Sequence, residues 1–177
     1  MNQFSSRTPK KLYKYIAKTK VDAILEKARA DNTRNYLILV TLWRTGMRVS
    51  ELTNLTKRDV GSDQITIRQG KGHKDRIVPA DSGLIDLLTL HSASMNLDNR
   101  LFPLSEVAVR NICHKYQGEE NLRPHTLRHS FAVHCLKSGM NIRVLQKILG
   151  HTNLSTTAIY LDLIGEDIKT EFKKVSF

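Results

Sequence analysis

Tyr36-Leu37-Ile38-Leu39-Val40-Thr41-Leu42-Trp43, followed by Arg44-Thr45-Gly46-Met47-Arg48, is the stretch on which the fold turns. A run that is apolar nearly all round cannot lie on a surface, and at Gly46 it meets the residue type that tolerates a left-handed helix cap. It predicts a buried central helix with Arg48 just beyond its end. Toward the N-terminus, Thr19-Lys20-Val21-Asp22 has the form of a capping box. Val21, Ile24, Leu25 and Ala28 follow at helical spacing, which predicts an amphipathic helix over about 19 to 30. Residues 1 to 18 read as a basic arm or linker. Toward the C-terminus, a short helix through Val49, Leu52 and Leu55 comes next. Ile65-Thr66-Ile67 and Ile77-Val78-Pro79 then alternate as strands do, and Gly70-Lys71-Gly72-His73-Lys74 between them has turn composition, so a β-hairpin carries Lys71 near its tip.

Helical periods return with Leu84, Leu87 and Leu88 after Ser82, and with Val109, Ile112, Cys113 and Tyr116 after Ser105. Pro124 suits the first turn of a helix running to Gly139, Ile142 to Leu149 forms a compact helix ended by Gly150, and Ser155 caps a last helix containing Tyr160. The chain has no internal repeat and no interior linker. The reading is a mainly α fold with a small antiparallel β-sheet, an α+β class, in one domain from 19 to 177. In its tail, from 164 to 177, Ile168, Phe172 and Val175 are spaced for docking in cis or in trans.

Composition narrows the function. With 177 residues, 40% hydrophobic and 25% charged, the chain is an ordinary globular domain rather than a disordered one. The apolar run at Tyr36 is far shorter than the roughly 20 residues a membrane helix needs. The first residues lack the apolar core of a secretory signal, and Cys113 and Cys135 are too few for a disulfide framework, so the expected setting is a reducing cytoplasm. The formal charge is +11, and residues 1 to 29 alone hold eight Lys/Arg against two acids. That is an electrostatic footprint for a polyanion, nucleic acid ahead of anionic membrane.

Several residues could carry chemistry. In the helix from Pro124, His125 and Arg128 fall about 60° apart on one face, with Leu127, Phe131 and His134 opposite. An imidazole and a guanidinium beside a helix N-terminus make a receptor for a phosphate. Metal binding fits poorly: His125 and His129 are four apart, but Thr126 stands where a zinc-protease helix would have its Glu, and the cysteines form no CxxC pair. Gly70-Lys71-Gly72 lacks the flanking residues of a phosphate loop. The two short helices around Gly150 invite a competing reading, a helix-turn-helix DNA-binding regulator without catalysis. That reading leaves Arg48, Lys71 and the His125/Arg128 face with no shared purpose.

Taken in order, Thr45-Gly46-Met47-Arg48-Val49-Ser50-Glu51-Leu52, Gly70-Lys71-Gly72, His125-Thr126-Leu127-Arg128-His129, and Leu149-Gly150-His151 followed nine residues later by Tyr160, resemble the tyrosine recombinase (phage-type integrase) family. The Tyr15 to Leu25 stretch is also similar to the start of that family's catalytic domain. The resemblance implies the catalytic-domain fold without the helical core-binding domain that usually precedes it, hence either an excised domain or a naturally short recombinase. It further implies a prokaryotic or virus-encoded enzyme that cuts and rejoins DNA strands through a 3′-phosphotyrosyl intermediate, with no metal, ATP or other cofactor. Its partner is double-stranded DNA, on which it forms a tetramer; free of DNA it is expected to be a monomer. Arg48, Lys71, His125, Arg128, His151 and Tyr160 are the implied catalytic set. After Tyr160 the chain runs Leu161-Asp162, without the histidine many relatives carry there.

These residue types suit that chemistry. A protein nucleophile keeps the energy of the cleaved linkage in a phosphotyrosyl ester, and that nucleophile is Tyr160. A phenol titrates near 10 in water, so it must lose its proton during attack. Charge then gathers on the non-bridging oxygens, where Arg48 and Arg128 form a clamp that favours the transition state. By the resemblance, His125 accepts the phenol proton, His151 donates a hydrogen bond to the phosphate, and Lys71 protonates the departing 5′ oxygen. Two-metal nucleases need convergent carboxylates, which this set lacks.

Overall fold

The computed structural model describes residues 14–68, 75–151, 157 and 160. Its elements run α1 (Lys18–Asp31), α2 (Thr33–Thr45), α3 (Val49–Asn54), β1 (Gln64–Ile67), β2 (Arg76–Pro79), α4 (Ser82–His91), α5 (Glu106–Tyr116), α6 (Pro124–Lys137) and α7 (Ile142–Leu149). The Tyr36–Trp43 run becomes the middle of α2, where every residue from Leu37 to Trp43 is buried. α2 touches α1, α3, α4, α5 and α6, so it is the axis about which the other helices pack. Asn32 caps its start, accepting from the Asn35 N–H at 3.0 Å. Gly46 ends it at φ 61, and the Gly46 N–H returns to the Leu42 carbonyl.

α1 buries Val21, Ile24, Leu25 and Ala28 as the spacing predicts, but its cap departs from the sequence reading. It begins at Lys18 with Ala17 at the N-cap position and no side-chain cap, so Thr19 is already inside the helix. The entering chain is fixed from outside instead. The Ile16 N–H donates to Ser130 Oγ on α6 at 2.8 Å, and the Ile16 side chain is 3% exposed. Residues 14 to 17, read from sequence as the end of the arm, therefore run along the domain before α1 starts.

The two strands pair antiparallel in the register Ile65↔Val78 and Ile67↔Arg76. Ile65, Ile67 and Val78 point into the core, while β2 packs against α7. Ser105 caps α5 by accepting from the Ala108 N–H, and Gly150 closes α7 at φ 65. Lys71, Ser155 and the tail from 164 to 177 lie outside the described residues, as do residues 1 to 13. Among the described residues, no helix is long and apolar enough to cross a membrane.

α6 differs in one respect that shapes the site. Sequence spacing gave it one packing face and one presenting face, yet ten of its residues are buried, Arg128 among them at 4% exposed. The cause is its position, since α2, α5 and α7 all lie against it.

Candidate active site

Three helix ends converge on Arg128: the C-terminus of α2 at Gly46, the N-terminus of α3 at Arg48, and the C-terminus of α7 with its Gly150-His151 turn. Helix C-termini present unsatisfied carbonyls, and Arg128 collects two of them. Its Nη1 donates to the Gly46 carbonyl and its Nη2 to the Leu149 carbonyl, both at 2.7 Å. Nη2 also lies 3.0 Å from His151 Nε2. Both left-handed glycine turns are thus stitched to α6 through one guanidinium.

Arg48 sits beside this anchor. Its own N–H and its Nη1 both donate to Glu51, at 2.7 and 2.9 Å, which holds the side chain at the first turn of α3. Its Nη2 lies a long 3.5 Å from the Gly150 carbonyl. Glu51 also takes a two-pronged pair from Arg76 at the start of β2, both bonds 2.7 Å, and Arg76 Nε donates to the Ile148 carbonyl at the same distance. Two guanidiniums therefore bond to one carboxylate and Arg128 lies within its electrostatic reach, so the pocket carries an excess of fixed positive charge in a poorly solvated place. Although burial pushes the Glu51 carboxyl up, the hydrogen bonds and charges of Arg76 and Arg48 outweigh it and hold the group below its ordinary range. Burial, reinforced by the Arg48 charge, draws the Arg128 guanidinium down to about 10, so it stays charged at neutral pH.

The histidines are neutral in this field. His151 is pulled down to about 4 by burial and then by Arg128, Arg48 and Arg76. His129 falls to about 4 through burial, with His125 and Arg128 adding to it. His125, at the exposed first turn of α6, is lowered by partial burial and by Arg128, Arg110 and Arg48. Tyr160 is 3% exposed, its phenol is 2.8 Å from His129 Nδ1, and it lies within electrostatic reach of Arg128. His151 Nδ1 lies 2.9 Å from Thr157 Oγ1.

Of the six residues selected from sequence, Arg48, His125, Arg128, His151 and Tyr160 meet around this pocket; Lys71 falls outside the described residues. The phenol's hydrogen-bond partner is His129, one turn along α6 from His125. Four contributors were not among the residues selected from sequence. Glu51 carried a signal, a carboxylate three residues after Arg48 at the capping-box position. His129 and Thr157 could be placed by helical spacing from His125 and Tyr160. Arg76 had no local signal, because only the tertiary fold brings the start of β2 under α3.

Residues 14–165 match the model of the phage integrase family. A tyrosine recombinase XerA of Thermococcus onnurineus is 37% identical over 182 residues, which takes in 95% of this chain and 64% of the relative. Among solved structures, that of a XerA recombinase superposes with a TM-score of 0.75 at 28% identity, covering 96% of this chain and 65% of that one. The catalytic domain of bacteriophage HP1 integrase superposes with a TM-score of 0.72 at 29% identity, covering 92% of this chain and 95% of that domain. The fold is that of a tyrosine recombinase catalytic domain, and the chain belongs to the phage integrase family. It spans 64% of the length of the XerA relative. The helix-turn-helix alternative finds no support, since α7 and its Gly150 turn are tied into the pocket through the Ile148 and Leu149 carbonyls.

Proposed function

We propose that the protein is a site-specific DNA recombinase or integrase that breaks and rejoins strands through a 3′-phosphotyrosyl ester on Tyr160. The observation that carries this reading is the shared positive charge of Arg48, Arg76 and Arg128 against the single carboxylate of Glu51, beside a phenol. Such a pocket is short of an anion, and a phosphodiester supplies one.

In this account a scissile phosphate takes the donors of Arg48, whose other bonds leave its outer nitrogen only a long contact. Arg128 and His151 complete the cradle. The phenol passes from His129 to the phosphorus, and His125 at the mouth of the pocket takes its proton; a neutral imidazole is competent to do so. Attack forms the phosphotyrosyl bond and breaks the bond to the 5′ oxygen, which Lys71 protonates. A second strand's 5′ hydroxyl then reverses the step. The substrate is double-stranded DNA, the working assembly is a tetramer on DNA built from free monomers, and the chemistry needs no metal or nucleotide cofactor. The setting is the cytoplasm.

A nicked suicide duplex, from which the short fragment bearing the freed 5′ hydroxyl diffuses away after cleavage, tests the reading. The wild-type protein is expected to give a covalent adduct in magnesium-free buffer and Tyr160→Phe none, with Arg48→Ala at least about a hundredfold slower. A protein that shifts the duplex on a gel but never traps it contradicts the proposal.

A further inference from the structure

Arg76 has all three of its nitrogens engaged inside the protein. Its side chain is 9% exposed; Nη1 and Nη2 donate to the two oxygens of Glu51 and Nε to the Ile148 carbonyl, each at 2.7 Å. Gly150 makes room for it, since a Cβ there would come within 3.0 Å of Arg76 Cδ. A guanidinium so enclosed is not placed to meet substrate. It braces three elements instead: the start of β2, the first turn of α3 and the end of α7.

Glu51 is filled from two sides. Oε1 accepts from Nη1 of both Arg76 and Arg48, and Oε2 accepts from Arg76 Nη2 and from the Arg48 N–H. Those four bonds use the lone-pair sites a carboxylate offers, so turning it in either direction breaks some of them. Arg48 is held less completely: its side chain is 37% exposed, and its firm side-chain bond goes to Glu51 at 2.9 Å. The direction of Arg48 is therefore set by Glu51, and Glu51 is held in turn by the planar fork of Arg76.

We infer that Arg76 is a positioning residue for strand cleavage: its fork fixes the Glu51 carboxylate so that Arg48 points at a non-bridging oxygen of the scissile phosphate. The inference rests on the phosphate reading given above. Positive charge at position 76 does not suffice, because a lysine there is a point donor that leaves the carboxylate free to turn. With no cation at 76, Glu51 has acceptor sites to spare and draws the Arg48 guanidinium onto itself, away from a phosphate.

Adduct formation on two nicked suicide duplexes tests this. One carries a natural scissile phosphate, the other a methylphosphonate, in which a methyl group replaces the charged non-bridging oxygen. The neutral linkage has little need of a guanidinium clamp, so a defect transmitted through Arg48 shrinks on it and a general packing defect does not. On phosphate, Arg76→Met is expected to be about a hundredfold slower and Arg76→Lys about tenfold slower, with DNA affinity within about twofold of the wild type. On methylphosphonate both should come within about threefold of the wild type. In an Arg48→Ala background, Arg76→Met should cost less than about twofold more. A full rate in Arg76→Lys would mean that charge alone matters. Equal losses on the two duplexes, or additive losses with Arg48→Ala, would mean that Arg76 acts through packing; each of these results overturns the inference. Should Arg76→Met fail to fold, the Arg76→Lys comparison decides by itself. An Arg48→Ala loss that methylphosphonate leaves intact, or a wild type that traps neither duplex, refutes the underlying reading instead.

Discussion

Arg128 bonds to the Gly46 and Leu149 carbonyls with both terminal nitrogens, so removing it strips two helix ends of their donors as well as the pocket of a charge. Arg128→Ala is therefore expected to lose adduct formation and also about 3 kcal/mol of stability in urea unfolding. Arg48→Ala, at a half-buried side chain with one firm side-chain partner, should lose cleavage with less than about 1 kcal/mol of stability. Equal destabilisation by the two would contradict the division of labour between anchor and clamp. The imidazoles give a pH test. His129 and His151 titrate near 4 when folded against an ordinary 6.5, so the unfolded chain binds more protons between those values. Their contribution is fully present above 6.5 and is lost as pH falls toward 4. Because both rings keep some solvent contact, roughly 1 kcal/mol each is expected, read as the difference in unfolding free energy between the wild type and a His129→Asn/His151→Gln variant across that window. A pH-independent difference would mean the rings are not held neutral. At this scale the sequence exposed the groups proposed to meet substrate, because their types are chemically uncommon together. It hid Arg76, whose role exists only where strand and helix ends meet.

Two left-handed glycines shape the elements around the site. At Gly46, a Cβ would lie 2.4 Å from the Phe131 ring, at a φ of +61 that other residues seldom adopt. Gly46→Ala should cost about 3 kcal/mol, measured by chemical denaturation, and should slow cleavage because the Gly46 carbonyl orients Arg128. A stable, fully active Gly46→Ala would show that α2 does not fix the pocket. The helices were legible because caps and apolar periods agree: Ser105, Pro124, Gly46 and Gly150 mark real ends. α1 was placed to within a residue, but its capping box was misread, because its entry is held by Ser130, 114 residues away, through a bond no local pattern can announce. α6 was misread as two-faced because periodicity reports what a residue prefers and not how many neighbours surround it. Its Arg128 is buried because carbonyls, not water, receive its donors.

Across the whole molecule, charge and fold point the same way. The formal charge of +11 is concentrated toward the N-terminus, while the pocket adds buried cations whose balance requires an anion. DNA affinity should fall steeply with salt, with a log–log slope of about −5 if roughly six phosphates are neutralised; a slope near −1 would argue against an extended phosphate interface. The central claim is that Tyr160 becomes the covalent carrier of the cut strand. Its most direct test is to digest the adduct trapped on a nicked duplex with nuclease and trypsin and to locate the nucleotide by mass. The account predicts a nucleotide 3′-phosphate on the tryptic peptide of residues 148–169, in which Tyr160 is the one tyrosine. A nucleotide on any other peptide, or strand cleavage that leaves the protein unmodified, would contradict it.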